Sequence, residues 1–180
     1  VDDARGDEDQ AHDAERHLPD PAKSAIIGEA DAALGAYVPN NPKVLLDHLH
    51  YHRAYKTPYE LAQMRKAQAK AVRGHAAAEQ AFRAGGSEAQ INAAFLAASG
   101  HTDSDVPYNN IVALNEHAAT LHYQYKSFHK PAHHRSLLID AGAESDGYAA
   151  DITRTYGNGF DLFEQLIDAV DKEQRALCAQ

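Results

Sequence analysis

A chain of 180 residues, 44% hydrophobic and 24% charged, is long enough for one domain with a substantial core and has an ordinary globular balance. Its formal net charge of −9 excludes the clustered basic surface of a nucleic-acid binder, and no apolar run approaches the ~20 residues that span a bilayer. One cysteine, Cys178, excludes an internal disulfide; with no charged-then-apolar leader at the start, the expected setting is reducing and cytoplasmic.

The charge is concentrated at the start. Residues 1–20, "VDDARGDEDQAHDAERHLPD", hold eight acids against Arg5 and Arg16 and show no apolar period. Residues 1–23 are therefore read as a flexible acidic segment. The sequence begins at Val1 and reads as a processed or partial chain. From Ser24 to Pro42 the spacing predicts a short strand, a helical turn and a Pro/Asn-rich connection. In Lys43–Lys56, Val44, Leu45, Leu49 and Tyr51 are available for a buried face.

Thr57-Pro58-Tyr59-Glu60 marks a helix start, with Thr57 as cap, Pro58 at the first position and Glu60 closing a capping box. Leu61, Met64, Ala67, Ala71, His75, Ala78 and Phe82 extend that helix until Gly85-Gly86 stops it. Ser87 to Gln90 supplies a second capping box and a second helix ending near Gly100. After Asn110 come four β-like runs, "NIVALN", "ATLHYQY", "SLLIDAG" and "GYAADITRTY". Phe163, Leu166, Ile167, Val170 and Leu177 return to helical spacing between Phe160 and Ala179. The order indicates an α+β domain.

Asp140 and Asp151 are a candidate metal-binding pair, with a structural ion pair or solvated turn acids as the alternatives. If a turn centred on Ser145-Asp146 joins their two runs, they lie directly opposite on one face, with Cβ atoms about 4.5–5.5 Å apart. Two ionised carboxylates that close repel, so a cation belongs between them: Arg135 or Arg154, a shared proton, or metal ions. Two-metal hydrolytic sites span about 3.5–4 Å, which facing carboxylates can bridge, and oxygen ligands suit hard ions such as manganese. His48, His50 and His52 would chelate from one face of a strand, but in a helix they spread around the surface. His133 and His134 fall in a loop. His122 sits in the "ATLHYQY" run, where a buried, hydrogen-bonded histidine is the default.

The blocks "HYHRAYKTPYELAQMRKAQ", "DVPYNNIVALNEHAATLHY" and "SLLIDAGAESDGYAADITRTY" closely resemble bacterial Xaa-Pro dipeptidases (prolidases), a group that includes the organophosphorus acid anhydrolases. The resemblance runs from about Ser24 to Gln180. It implies the first half of a pita-bread catalytic domain over 43–180, with a remnant of the N-terminal domain at 24–42. It also implies two divalent metals, Mn2+ in most members, and hydrolysis of Xaa-Pro dipeptides, with organophosphate hydrolysis as a side activity.

By that resemblance Asp140 chelates one metal, Asp151 bridges both, and Thr153 orients a carboxylate. Tyr108, Leu121 and His122 meet substrate, with His122 either stabilising the tetrahedral species or holding the substrate's carboxylate. The family's remaining ligands, a histidine and two glutamates, lie downstream of the aspartates, and Gln180 precedes them all. Glu164 and Glu173 on the closing helix do not replace them, and no histidine follows His134. Three explanations stay open: a piece of a longer enzyme lacking its C-terminal half, a non-catalytic binding module, or a site completed across a homodimer. Aminopeptidase P is the nearest rival within the enzyme class.

Overall fold

The computed structural model describes residues 19–179; the acidic segment over 1–18 lies outside them. Their contacts cluster into two units, divided between Lys56 and Thr57.

In the first unit, 3₁₀ turns form at Pro21–Lys23 and Ala32–Leu34. The strand expected between Ser24 and Pro42 does not form. The Asn40 and Asn41 side chains bond to backbone groups of Ser24, Ile26 and Gly28 that a partner strand would otherwise take. Helix α1, Lys43–Ala54, has no buried residue, and Val44 is 84% exposed. The buried face expected there is open: among the described residues of the first unit, the two 3₁₀ turns are the only other helical elements and no strand forms to cover it. On α1, the His48 and His52 rings meet one turn apart, 4.2 Å between centres and tilted by 53°, as neighbours at i and i+4 do.

The second unit begins with α2, Pro58–Arg83, whose capping box forms as the sequence predicts. Gln63, Ala67, Ala71, Gly74, His75, Ala78 and Phe82 make its buried stripe. Helix α3, Glu88–Ser99, starts on the Ser87–Gln90 box and ends at Gly100, whose φ of 78° is left-handed. The two helices pack closely because residue 74 is glycine: a Cβ there would lie 2.6 Å from the Phe95 ring.

Three antiparallel strands follow in the order β1 (Ile111–Leu114), β2 (Ser136–Ser145) and β3 (Tyr148–Gly157). Leu137, Ile139, Ala141 and Ala143 alternate along one face of β2 and pack on α2 and α3 with Phe82, Ile91, Phe95, Val112 and Leu114. At about 25 cal/mol per Å² of apolar surface, this layer is the main stabilising element of the unit.

The fourth expected strand, "ATLHYQY", is not one. Asn115–Ala119 coils as a 3₁₀ helix, and residues 120–128 form an irregular loop. Helix α4, Asp161–Cys178, closes the unit at the predicted place, yet none of its residues is buried. Its Phe163, Leu166, Ile167 and Val170 line an open cleft of about 690 Å³ against Leu138, Thr153 and Thr155 of the sheet. No helix of the described residues is long and apolar enough to cross a membrane.

Candidate metal centre

The β2–β3 hairpin turns on Asp146-Gly147, with φ of 49° and 79°. Positive φ at both central residues is the geometry that Asp-Gly favours in a two-residue hairpin turn. The centre lies one residue later than the sequence reading placed it, so every partner shifts by two. Asp140 therefore faces Thr153, and Asp151 faces Gly142. The acids are not directly opposite. A shift of two preserves the face, however, and they remain diagonal neighbours on the side turned away from α2 and α3.

What lies between them is a phenol. Tyr108 Oη is 2.8 Å from Asp140 Oδ1 and 2.8 Å from Asp151 Oδ1. Neither arginine takes that place: Arg135 pairs with Glu116, and Arg154 donates to the Thr153 carbonyl. A phenol has one proton and two ionised carboxylates have none to give, so the three oxygens are one donor short. Burial first, then the bonds to Asp151 and Asp140, push the Tyr108 hydroxyl well above its ordinary value of 10.0 and keep it protonated.

Gly142 makes the arrangement possible. A Cβ there would come within 2.7 Å of the Tyr108 ring and 3.0 Å of Pro107 and would also meet the Ala150 carbonyl. The loop that carries Tyr108 is tied to α3 through Asn110 to Asn92 (3.0 Å) and Asn92 to Asp103 (3.2 Å). From beneath, buried His75 donates from Nε2 to the Ala141 carbonyl at 3.0 Å, pinning the backbone next to Asp140. Burial lowers its pKa and keeps the ring neutral.

The donor chemistry suits a hard divalent cation. Each carboxylate offers about four lone-pair positions, and the single Tyr108 proton is shared between the two Oδ1 atoms. Among the described residues, neither Oδ2 is hydrogen-bonded to a protein group, and no cluster of three His, Cys, Asp or Glu side chains forms. Asp140 and Asp151 thus fit one side of a coordination sphere. Thr153 stands across from Asp140 on the same face. Leu121 and His122 lie on an exposed turn, Leu121 at 85% exposure and His122 with a left-handed φ of 53°. His122 is therefore not the buried strand histidine expected from its neighbours.

A second polar cluster escaped the sequence reading, which took Glu88 only as part of a capping sequence. Glu88 is 1% exposed. Its Oε1 accepts from the Leu114 amide (2.9 Å) and His117 Nδ1 (2.7 Å), and its Oε2 from Tyr123 Oη (3.0 Å) and the Ser127 amide (2.9 Å). An acid in the first turn of a helix is common, so no local signal marked it.

Burial alone would raise the Glu88 pKa, but bonds from Leu114, His117, Ser127 and Tyr123 together hold it below the ordinary 4.5. A depressed folded value stabilises the protein above the unfolded value, and this contribution disappears as pH falls through the folded one. The 117–127 segment should therefore open in acid below 4.5. His117, Tyr123, Glu116 and His129 are the other titratable groups around this carboxylate. Amide exchange against pH checks it; a midpoint near ~6.5 would assign the effect to a histidine instead.

Residues 62–180 match metallopeptidase family M24. The chain is 54% identical over 161 residues to an Xaa-Pro dipeptidase of Stenotrophomonas maltophilia (strain R551-3), covering 89% of this chain and 36% of that protein. It is 60% identical over 140 residues to an Xaa-Pro dipeptidase of Citrobacter koseri, covering 77% of this chain and 32% of that one. It thus spans about a third of the length of these relatives.

Among solved structures, zinc-substituted aminopeptidase P of E. coli superposes with a TM-score of 0.50 at 32% identity, over 57% of this chain and 23% of that one. An X-Pro aminopeptidase of Thermotoga maritima gives 0.54 at 23% identity, over 72% and 37%. The helices and sheet are accordingly part of a pita-bread fold. Because the matched stretch takes in the core helices, the whole sheet and both aspartates, the chain belongs to metallopeptidase family M24.

Proposed function

We propose that this chain is part of an enzyme that hydrolyses Xaa-Pro dipeptides with two divalent metal ions, Mn2+ foremost, acting in the cytoplasm as a homodimer. One observation carries the reading. Two carboxylates converge on a single hydroxyl at 2.8 Å each, inside a stretch that matches Xaa-Pro dipeptidases at 54–60% identity. On this reading residues 43–180 belong to the catalytic domain and 24–42 end the domain before it.

Asp140 and Asp151 hold the cations, with Thr153 facing Asp140 to orient its carboxylate. A cation so bound supplies Lewis acidity and lowers the pKa of water toward neutrality. Tyr108 holds the Oδ1 atoms and leaves the Oδ2 atoms free to ligate. Leu121 and His122 meet the dipeptide from their exposed turn. His122 either donates to the oxygen that gains charge at the scissile carbonyl or binds the substrate's carboxylate.

The likeness to aminopeptidase P, at 32% identity, supports a second reading in which longer Xaa-Pro peptides are cut. Organophosphate hydrolysis follows only as a side activity. The protein carrying this sequence should release proline from an Xaa-Pro dipeptide in proportion to added Mn2+. Cleavage of Xaa-Pro-Yaa peptides alone would favour the second reading. No Mn2+-dependent cleavage of either would overturn both and leave a binding module.

A further inference from the structure

The loop between β1 and β2 contains a non-glycine residue, His122, at positive φ, a conformation that β-carbon sterics disfavour. Its neighbours do not hold it there: Leu121 and His122 are exposed and belong to no helix or strand. The segment is instead held at its two ends. At one end, His117 bonds to Glu88 Oε1 and the preceding Leu114 amide to the same oxygen. At the other, Tyr123 and Ser127 bond to Oε2, and the Ala89 amide donates to the Ser127 carbonyl. The His117 and Tyr123 rings stack across the closure, 4.7 Å between centres and 23° from parallel.

Four donors on one carboxylate fill the acceptor positions such a group has. Glu88 therefore keeps no capacity to bind a ligand, and its chemistry is spent on the chain itself. Both ends of the loop meet at this one buried group, while Thr120 to His122 and, beyond half-buried Tyr123, Gln124 and Tyr125 are exposed between them. Segments of this length with adjoining ends are compact and can hold a defined tip without regular structure.

We propose that Glu88 is a positioning residue: by fastening both ends of the 117–127 loop it fixes the turn that presents Leu121 and His122 to substrate. The inference rests on the reading of His122 as a substrate contact. It adds to that reading a group on a different element, separated from His122 by two hydrogen-bonded arms.

The experiment compares the protein that carries this sequence with its Glu88→Gln and Tyr123→Phe variants by amide hydrogen exchange and by the backbone carbon shifts of His122. Gln keeps one acceptor oxygen and turns an NH₂ toward donors, so exchange across 117–127 should rise at least ~10-fold. Exchange in α2 and the β2–β3 hairpin should stay within ~2-fold. Tyr123→Phe removes one arm without disturbing the buried charge and should raise exchange in the same segment by a smaller factor. The His122 shifts should move from left-handed toward averaged values in both variants.

Unchanged exchange and unchanged His122 shifts would overturn the proposal, as would a rise spread evenly over α2 and the hairpin. If Glu88→Gln does not fold, Tyr123→Phe decides by the same readouts. Adding an Xaa-Pro dipeptide to the unaltered protein separates the two ideas. No response at the His122 side chain, with the loop effect intact, sinks the substrate reading and leaves the anchoring in place.

Discussion

Asp151→Asn should abolish divalent-metal uptake while making the metal-free protein slightly more stable. The two effects have opposite signs because one feature causes both. Asp140 and Asp151 share a sheet face and direct their Oδ1 atoms at one phenol, so two negative charges meet with a single proton between them. Removing one charge relieves a like-charge pair worth about 0.2–1 kcal/mol in a sheet. An asparagine Oδ1 still accepts from Tyr108, so the hairpin loses no bond there.

On the proposed assignment the cation, by contrast, loses an anionic ligand. The affinity loss should exceed the ~10–100-fold that follows removal of an outer-sphere partner. Asp140→Asn should act alike, and the double variant should bind no more tightly than background. Mn2+ electron paramagnetic resonance and thermal unfolding read the two quantities. Full metal affinity in either single variant would remove the carboxylates from the ligand assignment, and a lowered melting temperature would contradict the charge argument.

Much of the frame was legible because it is written locally. Both capping boxes form from the four-residue signals that announced them, and α4 spans nearly the window its apolar spacing marked. The pair of acids was legible as a pair, since parity along a hairpin survives an error of one residue in the turn. The partner assignment was not, because Ser145-Asp146 and Asp146-Gly147 compete as turn centres. Only the pair that accepts positive φ at both positions forms the turn.

The misread elements are those decided at a distance. "ATLHYQY" has strand composition, but Glu88, on another helix, claims the Tyr123 hydroxyl and the nearby Ser127 amide and holds the segment as a loop. The apolar face of α1 looked like core, yet burial needs a partner surface, and the described residues of its unit supply none. Tyr108 entered through a family resemblance to substrate-pocket residues, and its grip on both carboxylates was visible only once the strands were folded. Periodicity shows which face of an element is apolar or charged; it does not show what arrives there from elsewhere in the chain.

Gly142→Ala should disturb the metal site more than its one methyl suggests. The backbone is not the obstacle, since residue 142 sits in a strand paired with Asp151. Space is. The new Cβ would stand 2.7 Å from the Tyr108 ring and run into the Ala150 carbonyl across the ladder. Overpacking of this kind costs about 1–3 kcal/mol, and the strand carbonyl cannot turn aside as a side chain can. The Tyr108 ring has more freedom, so it should move, taking its hydroxyl off both aspartates.

Metal affinity should therefore fall with stability. Tyr108→Phe should lower affinity by ~10–100-fold on its own, since it removes the donor that orients both carboxylates. The decisive measurement is the double variant. If Gly142→Ala acts on the metal through Tyr108, it should cost little further affinity once the hydroxyl is gone, with a coupling of about 0.5–3 kcal/mol. Its stability cost should persist, because the clash with Ala150 does not involve the phenol. Full additivity in affinity would show that glycine and tyrosine serve the carboxylates separately.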